Sequence, residues 1–96
     1  MDIISGSFVW DDKKEFENIL KHGVNFSVAA QAFFDSERKI FIDHKHGQAE
    51  ERLFCIGKVD GKILTVRFTY RNDGMRIIGA GYWRKGRKYY YEKENG

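Results

Sequence analysis

The strongest constraint on the fold is a run of three strand-like segments separated by two tight-turn signals. The segments RLFCIGKV (52–59), KILTVRFTY (62–70) and MRIIGAGYW (75–83) are rich in β-branched and aromatic residues and alternate in polarity. Between them lie Asp60-Gly61 and the sequence RNDG at 71–74. Consecutive strands joined by tight turns pair in antiparallel fashion, so this region predicts a β-meander.

The first 23 residues predict a strand followed by a capped helix. Residues 3–10 form a short strand with apolar residues on one face. Asp11 and Asp12 supply an N-cap and a first-turn acid for a helix over residues 13–23, which ends at Gly23. Three apolar residues at helical spacing form one stripe that we expect to face the core: Phe16, Ile19 and Leu20.

The remaining segments complete an α+β pattern. Ser27 is placed to cap a second helix over residues 28–34, with Phe33 and Phe34 facing the core. The other elements are a strand, a polar loop and a short tail helix: residues 39–43, residues 44–51 and the tail after Gly86. A sheet of this size cannot bury itself. We therefore expect an α+β fold, in which a small antiparallel sheet is covered by two N-terminal helices and followed by a short C-terminal helix.

Length and composition favour one small globular domain over residues 1–96. The chain is 42% hydrophobic and 16% aromatic, which is typical of a folded protein. No apolar run approaches the roughly 20 residues of a membrane span, and the N-terminus lacks the pattern of a secretory signal. Cys55 is the only cysteine, so no internal disulfide can form, which suits the cytoplasm.

Positive charge is concentrated towards the C-terminus. Residues 1–50 contain six Lys or Arg against nine Asp or Glu, whereas residues 71–96 contain seven against three. The acidic first half, which includes Glu15, Glu17 and Asp35, is not expected to touch nucleic acid. The cations of the last two strands and the tail form a basic constellation: Arg67, Arg71, Arg76, Arg84, Lys85, Arg87 and Lys88.

This constellation suggests a surface that binds nucleic acid. Alternation places Arg67 on the face of Thr65 and Thr69, which we expect to be exposed to solvent, and Arg76 lies beside the turn that carries Arg71. Guanidinium groups match the geometry of phosphate, and Trp83 and the tail tyrosines can stack on unpaired bases. The alternative is that Tyr82 and Trp83 complete the core while the charges keep an exposed sheet soluble.

Other kinds of site have weaker support in the sequence. His22, His44, His46 and Cys55 lack the spacing of a zinc site. Cys55 lies mid-strand between apolar residues, which predicts a buried and unreactive thiol. The glycines at 79–81 complete no phosphate-binding or dinucleotide motif. We therefore expect no cofactor and no metal.

Six landmarks in order resemble the BrnT family, the toxin half of a bacterial type II toxin–antitoxin pair. The resemblance covers almost the whole chain. The landmarks are FVWD (8–11) with Lys14 and Asn18, KHGVNF (21–26), FFD (33–35), Asp43 and His46 leading to EER (50–52), TYR (69–71), and RIIGA (76–80).

This resemblance implies a RelE-like fold and a metal-independent endoribonuclease that cleaves mRNA and inhibits translation. In such toxins the 2′-hydroxyl of the RNA attacks the adjacent phosphate, and cations stabilise the transition state. Arg71 and Arg76 match family arginines and are the first catalytic candidates. The implied partners are a BrnA-like antitoxin, RNA as substrate, and DNA only through the antitoxin, with a homodimer inside the toxin–antitoxin assembly and no membrane.

The C-terminal region departs from the family pattern at two positions. Gly81 replaces an arginine and Gly86 falls near a glutamate position, so that Arg84, Lys85 or Arg87 would have to supply the charge. Tyr90 or Tyr91 matches the family tyrosine, and Tyr90 among these cations is a catalytic candidate for proton transfer. The general base stays open among His44, His46, Glu51 and the tail tyrosines. Two alternatives remain: a toxin-fold protein that binds antitoxin or nucleic acid without efficient catalysis, and an unrelated interaction domain.

Overall fold

A computed structural model describes residues 1–44, 50–72 and 74–92. It is an α+β fold with one six-stranded sheet, three helices and a 3-10 turn. In chain order the elements are β1 (Asp2–Ser5), β2 (Phe8–Asp11), α1 (Asp12–His22), α2 (Phe26–Gln31), the 3-10 turn (Ala32–Phe34), β3 (Lys39–Ile42), β4 (Leu53–Val59), β5 (Lys62–Arg71), β6 (Gly74–Gly81) and α3 (Arg84–Tyr91). None of the helices in these ranges is long and apolar enough to cross a membrane.

The sheet is mixed, so the prediction of a purely antiparallel sheet is wrong in part. The strand order is β1-β2-β6-β5-β4-β3, and β4 to β6 form the predicted antiparallel meander, which β3 extends by antiparallel pairing with β4. The predicted first strand is instead a hairpin of β1 and β2, which turns at Gly6 with φ of 60°. Strand β2 pairs in parallel with β6 at Phe8–Met75 and Val9–Arg76. This long-range pairing carries no local sequence signal.

The two faces of the sheet are covered by different elements. Residues such as Leu64, Val66 and Phe68 point into the main core beneath α2 and the 3-10 turn. On the opposite face, α3 packs through Tyr90 on Ile56 and Ile63. The arrangement therefore differs from a sheet covered on one face by two N-terminal helices.

Helix α1 has its apolar stripe on the outside, contrary to the prediction. Phe16 and Leu20 are 61% and 70% exposed, and Ile19 is also exposed. The buried residue of α1 is Asn18, which donates to the Ala80 carbonyl at 3.0 Å and accepts from the Ala80 N–H at 3.0 Å. Its amide group thus takes the place of a neighbouring strand beside β6, because β2 has ended and buried backbone groups need partners.

The local signals at helix ends and turns were mostly correct. Asp11 caps α1 by accepting from the Lys14 N–H, and Gly23 ends it with φ of 69°. Asp60 and Gly61 form the predicted hairpin turn with positive φ values of 49° and 80°. The second helix begins at Phe26 with Asn25 as its cap instead of Ser27. Phe33 faces the core as expected, whereas Phe34 is exposed.

Candidate active site on one face of the sheet

Three arginines share the sheet face opposite the main core, and we call them the arginine row: Arg67, Arg71 and Arg76. Arg67 and Arg71 alternate with the core residues of β5, and Arg76 lies directly across from Thr69 in the ladder between β5 and β6. The predicted proximity of Arg71 and Arg76 is therefore confirmed. Thr65 and Thr69 are buried on this face and not exposed as predicted, because α3 covers Thr65 and Thr69 donates to the Glu51 carbonyl.

Two members of the arginine row form bidentate ion pairs. Arg71 donates from Nε and Nη2 to the Glu50 carboxylate at 3.0 and 2.9 Å. Arg76 donates from Nη1 and Nη2 to the Asp2 carboxylate at 3.0 and 2.8 Å. The hydrogen bonds from Arg71 and Arg76 hold the pKa values of Glu50 and Asp2, respectively, below their usual range. Both guanidinium groups are thus held in fixed orientations, which is the usual effect of paired donors on a carboxylate.

Arg67 is held differently. Its Nε lies 3.5 Å from Oδ2 of the buried Asp43, and its guanidinium group lies 5.4 Å from the centre of the Phe54 ring. Within the described ranges its terminal Nη nitrogens have no hydrogen-bond partner on the protein. The Nη donors of Arg67 are therefore available to a ligand.

A cleft of about 290 Å³ opens beside Arg67, between α1 and β6. We call it the α1 cleft. Side chains of α1 form one wall, and residues of β5, β6 and the segment before α3 form the other. Its lining residues are Lys14, Glu17, Asn18, Lys21, His22, Arg67, Ile78, Gly79 and Trp83.

The position of α1 against β6 sets the shape of this cleft. Besides its two bonds to Ala80, Asn18 donates to the Val24 carbonyl at 2.9 Å, so one side chain connects the helix, the following turn and the sheet. A Cβ atom at Gly79 would lie 3.6 Å from Asn18 Oδ1, in ordinary contact. Any longer side chain at position 79 would project into the space that lines the α1 cleft.

Trp83 occupies the space next to Gly81. A Cβ atom at position 81 would lie 2.8 Å from the indole ring, so Trp83 fills the place of a side chain there. The indole also meets the His22 ring edge-to-face at a centroid distance of 5.2 Å. Trp83 is 39% exposed and Tyr82 is exposed, so the alternative in which both complete the core is not supported.

The first half of the chain supplies five polar lining residues that our sequence reasoning did not assign to a site: Lys14, Glu17, Asn18, Lys21 and His22. Their spacing could have indicated this, because positions 14, 17 or 18, and 21 recur on one side of a helix. We instead assumed that the apolar stripe of α1 faces inwards. Net charge over 50 residues also conceals a local cluster of two lysines and a histidine.

The cations of α3 form a second basic surface. Arg84, Lys85, Arg87 and Lys88 are all exposed. Helix α3 packs at Gly86 on Thr65, which is six positions before Arg71 on β5. At 3.3 Å per residue this separation is about 20 Å, so these cations do not join Arg71. Arg84, Arg87, Lys88 and Tyr91 instead line a shallow groove along α3.

Tyr90 has the surroundings of a structural residue. It is buried against Ile56 and Ile63, and its hydroxyl donates to Oδ2 of Asp35. Burial, followed by the nearby Asp35 carboxylate, raises the pKa of Tyr90. The expectation that neighbouring cations ease proton loss from this tyrosine is therefore wrong.

The other candidates are dispersed or lie outside the described ranges. Cys55 is fully buried, as predicted, and burial raises its thiol pKa to about 12. His44 and Glu51 are exposed, whereas His46 belongs to residues 45–49, outside the described ranges. Among the residues that the structure describes, no group of three or more His, Cys, Asp or Glu is arranged to hold a metal ion.

Comparison with known families identifies the chain. The family model described as the ribonuclease toxin BrnT of type II toxin–antitoxin systems matches residues 10–86. This range contains the arginine row and the whole α1 cleft, whereas Arg87, Lys88, Tyr90 and Tyr91 lie beyond it. A search of curated proteins finds no match. Because the family match spans most of the 96 residues, the chain belongs to the BrnT family of ribonuclease toxins of type II toxin–antitoxin systems.

Proposed function

We propose that this protein is a metal-independent endoribonuclease that cleaves mRNA in the cytoplasm and so inhibits translation. The observation that carries the proposal is the arginine row, which places three guanidinium groups on one sheet face of a chain in a ribonuclease toxin family. Guanidinium groups bind phosphate through paired donors and stabilise the charge that develops during phosphoryl transfer.

The proposed reaction uses the RNA itself as the nucleophile. The 2′-hydroxyl attacks the adjacent phosphorus, and the products are a 2′,3′-cyclic phosphate and a free 5′-hydroxyl. The protein has to orient the phosphate, stabilise a pentacoordinate transition state and move protons. Arg67, Arg71 and Arg76 are the proposed sources of positive charge. Arg84, at the start of α3, does not join Arg71 and is assigned to a flanking phosphate instead.

We assign RNA binding beyond the reacting phosphate to the exposed residues near the start of α3. Trp83 offers a ring for an unpaired base, which is the usual way in which proteins hold single-stranded RNA. Lys85, Arg87 and Lys88 provide charge for flanking phosphates. Tyr90 is left out of this assignment because it is buried and bonded to Asp35.

The test is incubation of the purified, antitoxin-free protein with a defined RNA in EDTA. We expect cleavage that yields 2′,3′-cyclic phosphate ends and that falls at least about 100-fold in an Arg71→Ala/Arg76→Ala double variant. Arg38→Ala is the matched control, since Arg38 is an exposed arginine outside the arginine row and the α1 cleft. Intact RNA with the folded wild-type protein, also in the presence of ribosomes, would refute the proposal.

A second candidate function is binding of nucleic acid or antitoxin without efficient catalysis. Two observations favour it: Glu50 and Asp2 already pair with Arg71 and Arg76, and Trp83 fills the space beside Gly81 where the family has an arginine. This candidate predicts RNA binding that weakens steeply with salt and leaves the RNA uncleaved.

Membership of a type II family implies a protein antitoxin, and we propose that it is BrnA-like. An acidic or amphipathic segment of that partner would complement the basic surfaces described above. We further propose that residues 1–96 act as one RelE-like toxin domain, that a homodimer forms within the assembly, and that DNA is contacted only through the antitoxin. Co-expression with a BrnA-like protein, followed by measurement of the mass of the complex, tests this arrangement.

A further inference from the structure

We infer that the α1 cleft binds the scissile phosphate of single-stranded RNA, with Lys14, Lys21 and Arg67 around the phosphate and His22 as the general base. This inference rests on the proposed function and extends it to residues in the acidic half of the chain.

More cations than anions line the α1 cleft. Its lining includes the cations Lys14, Lys21 and Arg67 against the single carboxylate of Glu17. Across the described ranges neither Lys14 nor Lys21 forms an ion pair, whereas Arg67, Arg71 and Arg76 are each paired with a carboxylate. The two lysines therefore give the cleft positive charge that no ion pair among the described residues neutralises, and such charge attracts a polyanion.

Arg67 lines the same cleft as these lysines and has donors available. The ion pair with Asp43 is made at Nε, the inner end of the guanidinium group, and the ring of Phe54 lies against that group. The terminal nitrogens can therefore meet two oxygens of a phosphate while Asp43 keeps the group in place. Paired donors on one side and ammonium groups on the other suit a phosphodiester better than a carboxylate.

The aromatic rings of His22 and Trp83 both line the cleft and contact each other. Trp83 is partly exposed and braced edge-to-face by His22, and the absence of a side chain at Gly81 lets the indole lie close to β6. A braced indole is a platform for one unpaired base. A volume near 290 Å³ is at the small end of ligand pockets, which favours a phosphate with part of one nucleotide over a duplex.

His22 is the lining residue best suited to accept a proton. It is exposed in the last turn of α1, next to Lys21 in sequence. Imidazole is the side chain most often used for proton transfer near neutral pH. Its ring contacts Trp83, the proposed base platform, and it lines the same cleft as the three cations, so we assign it to the ribose 2′-hydroxyl of the bound nucleotide.

The step balances without a co-reactant other than water. His22 takes the proton of the 2′-hydroxyl, and the 2′-oxygen forms a bond to phosphorus. The bond from phosphorus to the 5′-oxygen then breaks, and its electron pair stays on that oxygen, which takes a proton from water. Arg67 belongs to both the arginine row and the α1 cleft, and together with Lys14 and Lys21 it stabilises the negative charge that the non-bridging oxygens gain. Arg71 and Arg76 then bind the neighbouring phosphates of the strand.

The experiment separates binding from cleavage with two probes, a single-stranded RNA pentanucleotide and its all-2′-deoxy counterpart, which cannot react. Lys14→Ala and Lys21→Ala should each weaken binding of the deoxy probe about fivefold and reduce its salt dependence. Lys13→Ala is the matched control, because Lys13 is an exposed lysine of α1 outside the cleft. His22→Gln should lower cleavage of the RNA probe about 100-fold while binding of the deoxy probe stays within about threefold.

The outcomes distinguish this inference from the proposed function. If the protein cleaves RNA and the three cleft variants bind and cleave like wild type, the inference is wrong and the proposed function stands. If Glu17→Gln loses cleavage and His22→Gln keeps it, the assignment of His22 is wrong.

If wild type cleaves nothing, the proposed function fails. Loss of deoxy-probe binding in Lys14→Ala and Lys21→Ala would still support the phosphate site, and unchanged binding would overturn it. Urea unfolding of each variant confirms that the protein remains folded.

Discussion

The bonds of Asn18 should make it one of the most important side chains for stability, although it is polar and lies on a helix. Replacing Asn18 with Ala removes three hydrogen bonds at once, one from Ala80 N–H and two to the carbonyls of Ala80 and Val24. All three hydrogen bonds are buried, so the backbone groups left behind lose their partners inside the protein. No neighbouring strand is available to replace the lost partner, because β2 pairs with β6 only around Met75 and Arg76.

The expected loss can be estimated from these bonds. At about 1 kcal/mol of net stabilisation per hydrogen bond, Asn18→Ala should lower the free energy of unfolding by about 3 kcal/mol. Asn18 lines the α1 cleft, so water can enter the space that its side chain vacates and satisfy part of the backbone, which keeps the loss near the lower end of the cost of unpaired groups. A chain of 96 residues has a total stability of about 5–14 kcal/mol, so the loss is a large fraction of it. The corresponding fall in Tm is about 12–24 °C.

Urea unfolding followed by far-UV circular dichroism measures this loss. Asn25→Ala is the matched control: it removes the same side chain, but only the single exposed bond that caps α2, and should cost about 1 kcal/mol. Asn18→Asp keeps the acceptor but places a carboxylate against two carbonyl oxygens, so we expect at least the same loss as for Asn18→Ala. If Asn18→Ala were no more damaging than Asn25→Ala, the reasoning that Asn18 substitutes for a strand would be refuted.

Three further predictions concern α3 and its contacts. Tyr90→Phe should lower the free energy of unfolding by about 1–2 kcal/mol, because it removes the hydrogen bond to Asp35. RNA cleavage per folded molecule should stay within about threefold of wild type. A much larger fall in cleavage with unchanged stability would restore Tyr90 as a proton-transfer group. Gly86→Ala should destabilise the protein by about 2 kcal/mol in thermal unfolding, because the new Cβ atom would overlap the hydroxyl of Thr65. Adding Thr65→Ala removes that hydroxyl and should recover part of the lost stability. Burial alone would raise the pKa of Asp35, but hydrogen bonds from Tyr90 and backbone N–H groups outweigh it and hold that pKa below 3.8. The resulting stabilisation should be complete above pH 3.8 and lost as pH falls through the lower pKa of Asp35 in the folded state. In urea titrations between pH 2 and 6, Asp35→Asn should flatten the dependence of the free energy of unfolding on pH.

The meander and the arginine row could be predicted from the sequence because their signals are local. Alternation over β5 separates Arg67 and Arg71 from Leu64 and Val66, and tight turns bring the neighbouring strands back alongside. The carboxylate partners could not be predicted, because Asp2 lies 74 residues from Arg76 in sequence. The same limit applies to Tyr90, whose partner Asp35 is 55 residues away and decides the direction of its pKa shift.

The sequence by itself determined where α1 begins and ends, and it contained the family landmarks Lys14, Asn18, Lys21 and His22. Only the tertiary structure decided which side of that helix faces the sheet. An apolar stripe is usually buried, but here the edge of β6 presents backbone groups that need hydrogen bonds, and the amide of Asn18 supplies them across 62 residues of sequence. Satisfying those groups turns the polar side of α1 inwards, and that orientation creates the cleft in which we place the chemistry.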